Sequence, residues 1–217
     1  MSLPPRFPKG LYGITPEWPD TERLILAVAE AARGGMTALQ WRRKSGSHQE
    51  HLAQALALAE CCRQHGILFI VNDNLQLALA TEADGVHLGR GDGSLSEARQ
   101  ALGPGKIVGC SCYNEPELAR KALELDVDYI AFGAIYPSTV KPDTVRASLD
   151  DVREGLRLAL AQEKTPRAAV VAIGGITPEN AAPVIQAGAD SIALISGLFE
   201  TPDIQATAAR CSALFKG

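Results

Sequence analysis

The sequence predicts an α/β fold, a single-domain (βα)8 TIM barrel over residues 1–217 with its functional end at the C-terminal ends of the strands. Three observations predict it. Apolar runs of strand length alternate with longer amphipathic stretches along the whole chain, in eight successive pairs. Eight right-handed βα units are the number that closes a parallel barrel. No Rossmann-type glycine fingerprint follows the first run, which argues against an open doubly wound sheet. No linker, composition break or low-complexity segment divides the chain.

The elements follow in order. Gly10–Thr15 reads as the first strand, and Pro19-Asp20-Thr21 opens a helix that runs to about Arg33 and ends at Gly34-Gly35. Thr37–Trp41 is the second strand and Gln49–His65 the second helix, stopped by Gly66. Ile67–Val71 shows no alternation, as expected of a strand buried on both faces. A short helix spans about Asn74 to Thr81, followed by a brief strand, Gly85–Leu88. Ser94–Leu102, Lys106–Cys110, Glu115–Leu125 and Asp128–Phe132 continue the alternation. The longest loop, Gly133 to about Arg146, precedes a helix at Leu149–Leu160 and the strand Ala168–Ile173. Thr177-Pro178-Glu179 carries the signature of a helix start, with Thr as N-cap and Pro at N1. Ser191–Ile195 is the eighth strand and Ile204–Phe215 the last helix.

Composition narrows the function classes. The chain is 46% hydrophobic with only 5% aromatic residues, which suits close packing of helices on a sheet. A formal net charge of −4 does not indicate a nucleic-acid-binding surface. No apolar run reaches the roughly 20 residues a membrane span needs, and Met1–Lys9 lacks the apolar core of a secretory signal. The five cysteines form no framework of spacings, so reduced thiols in the cytoplasm are expected. Cys110 and Cys112 read as packing residues, since no second cysteine or histidine cluster accompanies them.

In a barrel, chemistry collects where strands end. Gln40-Trp41-Arg42-Arg43-Lys44 brings three adjacent cations to the end of the second strand. Strand alternation divides that stretch: Gln40, Arg42 and Lys44 share a parity and should face the pocket, whereas Trp41 and Arg43 should face the helix layer or solvent. Arg43 is therefore the cation expected to be dispensable. Asn72-Asp73 follow the third strand, Asp92 the fourth and Ser111 the fifth. Two carboxylates on neighbouring loops can share one hard cation, and Mg²⁺ takes one or two of them plus phosphate oxygens. Helix capping is the competing reading for both Asp73 and Asp92. The sixth loop carries Ser138, Thr139 and Lys141. Gly174-Gly175 and Ser196-Gly197 follow the seventh and eighth strands, where barrels often hold phosphate on backbone N–H groups. His87, inside the fourth strand, reads as a packed, hydrogen-bonded histidine.

These motifs resemble the thiamine-phosphate synthase family. The resemblance runs from Leu11-Tyr12-Gly13-Ile14-Thr15 to Ile195-Ser196-Gly197-Leu198-Phe199, with Gln40–Lys44, Val71-Asn72-Asp73, Asp84–Gly89 with Asp92, Phe132-Gly133 with Lys141-Pro142, and Ala172–Ile176 as its most specific stretches. It implies a magnesium-dependent transferase that joins a hydroxymethylpyrimidine diphosphate to a thiazole phosphate. By resemblance, Gln40, Lys44, Asn72 and Lys141 hold the diphosphate, Arg42 sits at the pyrimidine end, and Ser111 lies beside the reacting groups. Arg42, Ser111 and Lys141 are then the catalytic candidates. Asp73 and Asp92 hold Mg²⁺; Ser138 and Thr139, with the backbone at Gly175, Ile195 and Ser196, hold the thiazole phosphate. Arg43, Arg90, Tyr113 and Val140 depart from the family's usual residues at their positions.

Three other readings compete: a thiazole tautomerase of the same superfamily, another phosphate-binding barrel enzyme such as a sugar-phosphate isomerase, and a non-catalytic regulatory barrel that binds thiazole phosphate. The joint presence of Lys44, Asp73, Asp92 and Lys141 favours the synthase. Its partners are phosphorylated small molecules, with no nucleic acid and no membrane, and the sequence allows a homo-oligomer. The Gly133–Arg146 loop, which carries Lys141, is expected to close over bound diphosphate.

Overall fold

The computed structural model describes residues 5–137 and 145–216. Eight parallel strands close into a barrel in sequence order: β1 (Gly10–Ile14), β2 (Met36–Trp41), β3 (Leu68–Asn72), β4 (Gly85–Leu88), β5 (Ile107–Tyr113), β6 (Tyr129–Phe132), β7 (Ala169–Ile173) and β8 (Ser191–Leu194). β8 returns to β1 with Gly10 opposite Ser191, so no edge remains. Around it lie α1 (Thr21–Arg33), α2 (His48–His65), α3 (Leu75–Ala80), α4 (Leu95–Leu102), α5 (Pro116–Glu124), α6 (Leu149–Ala161), α7 (Ala181–Gln186), α8 (Ser196–Phe199) and α9 (Ile204–Ala213).

Local chemistry sets these boundaries. Ser47 and Glu50 form a reciprocal capping box at the start of α2, and Gly66 closes it in the left-handed conformation at φ 66°. Ser148 and Asp151 do the same for α6. The start expected at Thr177-Pro178 is not realised. Asn180 accepts from the Thr177 N–H at 2.8 Å and donates to the Gly175 carbonyl at 2.9 Å, which bends 177–180 into a turn and delays α7 to Ala181. β5 runs on to Tyr113 because a register shift between Ser111 and Tyr113 lets it keep pairing with β6. The one-turn helix α8 was not expected from the sequence; four residues are too few to show a period.

Alternation sorts the side chains into two cores. One lies between the barrel and its helices, built largely from Leu, Val, Ile and Ala. The other fills the barrel interior with Tyr12, Ile14, Ala38, Ile70, Tyr129, Ala131, Ala169, Val171 and Ala193. Phe7 plugs its N-terminal end, with its ring centroid 4.9 Å from Tyr12 and 4.6 Å from Tyr129. At that same end an aspartate precedes each of β4, β6 and β8. Asp84, Asp128 and Asp190 accept from the backbone N–H of Phe69, Val108 and Val170, at the starts of β3, β5 and β7. Each carboxylate thus ties an odd strand to the even strand after it. Arg167 pairs with Asp190 through two nitrogens at 2.7 and 2.9 Å, both side chains buried. This end is committed to structure, which leaves the opposite end for chemistry. The five cysteines are free and buried. Among the described residues no helix is long and apolar enough to cross a membrane.

Candidate active site

A cavity of about 400 Å³ opens at the C-terminal ends of the strands. Its floor is apolar, from Ile14, Ala131, Val171, Ile173, Ala193 and Ile195, and its wall is polar over β2 to β5. Gln40, Arg42, Lys44, Asn72, Asp73, Asp92 and Ser111 all line it.

The β2 exit divides by parity as expected. Gln40, Arg42 and Lys44 face the cavity. Trp41 turns outward and donates its indole N–H to Gln54 of α2 at 3.0 Å. Arg43 lies with Trp41 and His51 in a second hollow of about 350 Å³, which Lys44 and Asp73 also border. The loop is held by two residues the sequence reading passed over in this role. Thr15 accepts from the Arg42 N–H at 2.8 Å and returns its hydroxyl to the Arg42 carbonyl at 3.1 Å. The Glu17 carboxylate accepts from the Lys44 N–H at 3.1 and 3.2 Å and pairs with the Arg42 guanidinium at 3.3 Å. The backbone bonds to a charged acceptor matter more than the half-exposed ion pair.

Asp73 is not a helix cap: Asn74 caps α3, accepting from Leu77 N–H at 2.9 Å. Asp73 instead holds a left-handed backbone at φ 61°, with its N–H bound to the His87 carbonyl at 2.8 Å. A non-glycine residue in that conformation costs about 1–3 kcal/mol and marks a position fixed by its surroundings. Burial raises the Asp73 carboxyl above the usual carboxylate range. The adjoining Asp92 pushes it the same way by hydrogen bonding and charge, while Asn72 and Lys44 oppose. Asp92 does not cap α4, whose cap is Ser94; it accepts from the Gly89 N–H at 3.1 Å. Glycine at position 89 lets the carboxylate come this close, because a Cβ there would lie 2.7 Å from the Asp92 carboxylate oxygen and displace it. Two convergent carboxylates, one partly desolvated, repel unless a proton or a cation lies between them. Oxygen donors alone, with no nitrogen or sulfur, fit a hard cation that takes its remaining ligands from water and phosphate.

His87 is 7% exposed, and both its ring nitrogens are engaged, Nδ1 with the Tyr129 hydroxyl and Nε2 with the Ser111 hydroxyl, each at 2.9 Å. Burial lowers its pKa to about 4, so it is neutral at pH 7. It is the packed, hydrogen-bonded histidine the strand context predicts. Gln40 reaches the same network through Tyr12. Arg90 and Tyr113 meet each other. The Arg90 N–H donates to the Tyr113 hydroxyl at 3.0 Å, and the guanidinium sits 5.2 Å from the ring centroid.

The far wall comes from β6 to β8. Ser138, Thr139 and Lys141 lie outside the described residues. Ile195 lines the cavity, and the first amides of α8, from Ser196 on, start just beyond it. Gly175 holds φ 61°, and a Cβ there would lie 2.4 Å from the Pro137 carbonyl oxygen. Its need for glycine therefore has a structural cause, close packing on the loop after β6, whatever its amide binds.

The family model described as thiamine monophosphate synthase matches residues 11–198, from β1 through α8. The chain belongs to the thiamine monophosphate synthase family. The thiamine-phosphate synthase of Bordetella bronchiseptica is 54% identical over 210 residues, covering 97% of this chain and 96% of the relative. That of Thiobacillus denitrificans is 50% identical over 210 residues, covering 96% of each. Among solved structures, thiamine phosphate pyrophosphorylase from Pyrococcus furiosus aligns with a TM-score of 0.80 and 31% identity over 97% of both chains.

Proposed function

We infer that this single-domain protein is a thiamine-phosphate synthase. It joins 4-amino-2-methyl-5-hydroxymethylpyrimidine diphosphate to 4-methyl-5-(2-phosphooxyethyl)thiazole, giving thiamine phosphate and diphosphate. One observation carries the reading: a chain 54% identical to a relative of that name has Lys44, Asn72, Asp73 and Asp92 together on one wall of its main cavity. The sequence traits described above fit an enzyme of the cytoplasm.

The chemistry asks for charge control rather than a strong base. The pyrimidine CH₂–O bond breaks with its electron pair leaving on diphosphate, and the thiazole nitrogen then forms a C–N bond to that CH₂. The 4-amino group feeds electron density into the ring and stabilises the cation between these events. Lys44, Asn72 and Lys141 are assigned to the departing diphosphate, where positive charge and N–H donors act most strongly as negative charge accumulates. Arg42, tied back by Glu17, sits at the pyrimidine end. Gln40 lies at the cavity floor with one amide hydrogen already bound to Tyr12, so its contact with the diphosphate uses its remaining hydrogen. Ser111 lies beside the reacting carbon. Asp73 and Asp92 are assigned to Mg²⁺, which when bound supplies neutralising charge to diphosphate oxygens. Ser138, Thr139 and the backbone at Gly175, Ile195 and Ser196 hold the thiazole phosphate and so aim its nitrogen. The apolar floor excludes water that would otherwise trap the cation.

Incubation with both phosphorylated halves and Mg²⁺ should give thiamine phosphate and diphosphate in equal amounts. No coupled product at saturating concentrations of both would overturn the reading.

A further inference from the structure

Five side chains from five strands form one continuous hydrogen-bonded line across the barrel interior. Gln40 Nε2 donates to the Tyr12 hydroxyl at 2.8 Å. That hydroxyl lies 3.0 Å from the hydroxyl of Tyr129, which lies 2.9 Å from His87 Nδ1. His87 Nε2 lies 2.9 Å from Ser111 Oγ. Tyr129 is fully buried beneath the cavity, while Gln40, Tyr12, His87 and Ser111 line it, Tyr12 and His87 with little of their surface exposed.

Such a line has a direction, and its first member sets it. An amide nitrogen only donates, so the Tyr12 oxygen accepts and its single hydrogen passes on to Tyr129. The Tyr129 hydrogen then goes to Nδ1. A neutral imidazole carries one hydrogen, which is therefore on Nε2 and points at Ser111 Oγ. The Ser111 hydroxyl hydrogen is left for the cavity. With the nitrogen of the Gln40 amide, and not its oxygen, toward Tyr12, the reverse order would aim two donors, the Gln40 amide and the Tyr129 hydroxyl, at Tyr12 and leave the Tyr12 hydrogen without a partner among the described residues. Burial makes such an orphan costly.

We propose that this line sets polarity in the active site: the Gln40 amide, acting through Tyr12, Tyr129 and His87 as positioning residues, holds Ser111 as a hydrogen-bond donor toward the substrate and leaves the Gln40 carbonyl oxygen as an acceptor. Beyond the synthase reading, on which its kinetic part rests, this assigns work to three residues that need not touch the reacting atoms. Ser111, already accepting from His87 Nε2, has its own hydroxyl hydrogen free for an acceptor on the substrate.

The direction is readable without any substrate. In ¹⁵N-histidine-labelled, ligand-free protein at pH 7, with the His87 signals identified by their loss in His87→Gln, Nδ1 should resonate as an unprotonated nitrogen and Nε2 as a protonated one. A hydrogen on Nδ1 would overturn the proposal even if the enzyme is fully active, and the expected tautomer would support it even if no thiamine phosphate were formed. The kinetic arm is a double-mutant cycle on kcat. Tyr129→Phe keeps the ring and should lower kcat about tenfold, the scale of one oriented hydrogen bond. In a Ser111→Ala background the same change should cost nothing further, because its effect passes through Ser111. Equal losses in both backgrounds, or no loss in the single variant, would overturn it. If Tyr129→Phe does not fold, the wild-type tautomer alone decides.

Discussion

Replacing Gly109 with alanine would put a methyl group into the ring of Tyr129. A Cβ built on Gly109 lies 2.0 Å from Cζ, 2.1 Å from Cε1 and 2.5 Å from Cε2 of that ring. To reach ordinary contact at 3.4 Å, the ring must move by about 1.4 Å. It has nowhere to go, with Phe7 at 4.6 Å on one side and His87 stacked at 5.5 Å on another. A shift of that size also breaks the 3.0 and 2.9 Å bonds of the Tyr129 hydroxyl. Overpacking costs about 1–3 kcal/mol, and each of the two buried polar partners left unpaired about 1–3 kcal/mol more, for a total of about 3–9 kcal/mol. In a chain of this length about 1 kcal/mol moves Tm by about 2–4 °C, so Gly109→Ala should melt on the order of 10 °C below the parent. Thermal unfolding followed by circular dichroism reads this, and Gly109→Ala/Tyr129→Val should recover part of the loss by removing the clash. A single variant that melts within about 2 °C of the parent would refute the claim that the relay is packed without slack.

Three further predictions concern charge. Asp73→Asn and Asp92→Asn should each lower kcat at least about 100-fold at any Mg²⁺ concentration while keeping the native circular dichroism spectrum, and near-normal activity across a Mg²⁺ titration would remove that residue from the metal site. Lys44→Ala should reduce kcat/KM for the pyrimidine diphosphate at least about tenfold more than Arg43→Ala does, because parity turns Arg43 out of the main cavity; equal losses would contradict the division. The Asp126 carboxyl is held at about 2, chiefly by the hydrogen bond from Lys164 and then that from Arg6. Its folded pKa lies below its unfolded one, so its stabilisation is present above about pH 4 and fades as pH falls toward 2. Because the side chain is half exposed, Asp126→Asn should cost only about 1 kcal/mol at pH 7, and the gap should narrow in urea titrations run between pH 4 and 2.5; an undiminished gap at pH 2.5 would count against the pairing.

Much of the barrel and part of its site were legible in the sequence, for reasons particular residues make plain. Apolar runs such as Ile67–Val71 mark strands because both faces of a barrel strand are buried, and the alternation through Gln40–Lys44 separates Arg42 from Arg43 because strand geometry has a period of two. Local hydrogen bonding was harder to read. Thr177-Pro178 looks like a helix start, but the Asn180 side chain captures the Thr177 N–H first. Asp73 looks like a cap, but Asn74 takes that role and leaves Asp73 in a left-handed turn. Glu17 and the Tyr12–Tyr129 line carry no local pattern at all. Tyr12 and Tyr129 stand 117 positions apart and meet only because the barrel closes with both side chains pointing inward. Nor does Gly109 announce itself; its reason for being glycine is a ring 20 positions later on the neighbouring strand.

The assignment of the polar wall stands or falls on where diphosphate and its cation bind. A crystal structure of the protein with Mg²⁺ and diphosphate is predicted to hold the cation between the carboxylates of Asp73 and Asp92, with the diphosphate oxygens against Lys44 and Asn72. A cation that touches neither carboxylate, or a diphosphate lodged away from the β2 and β3 exits, would contradict it.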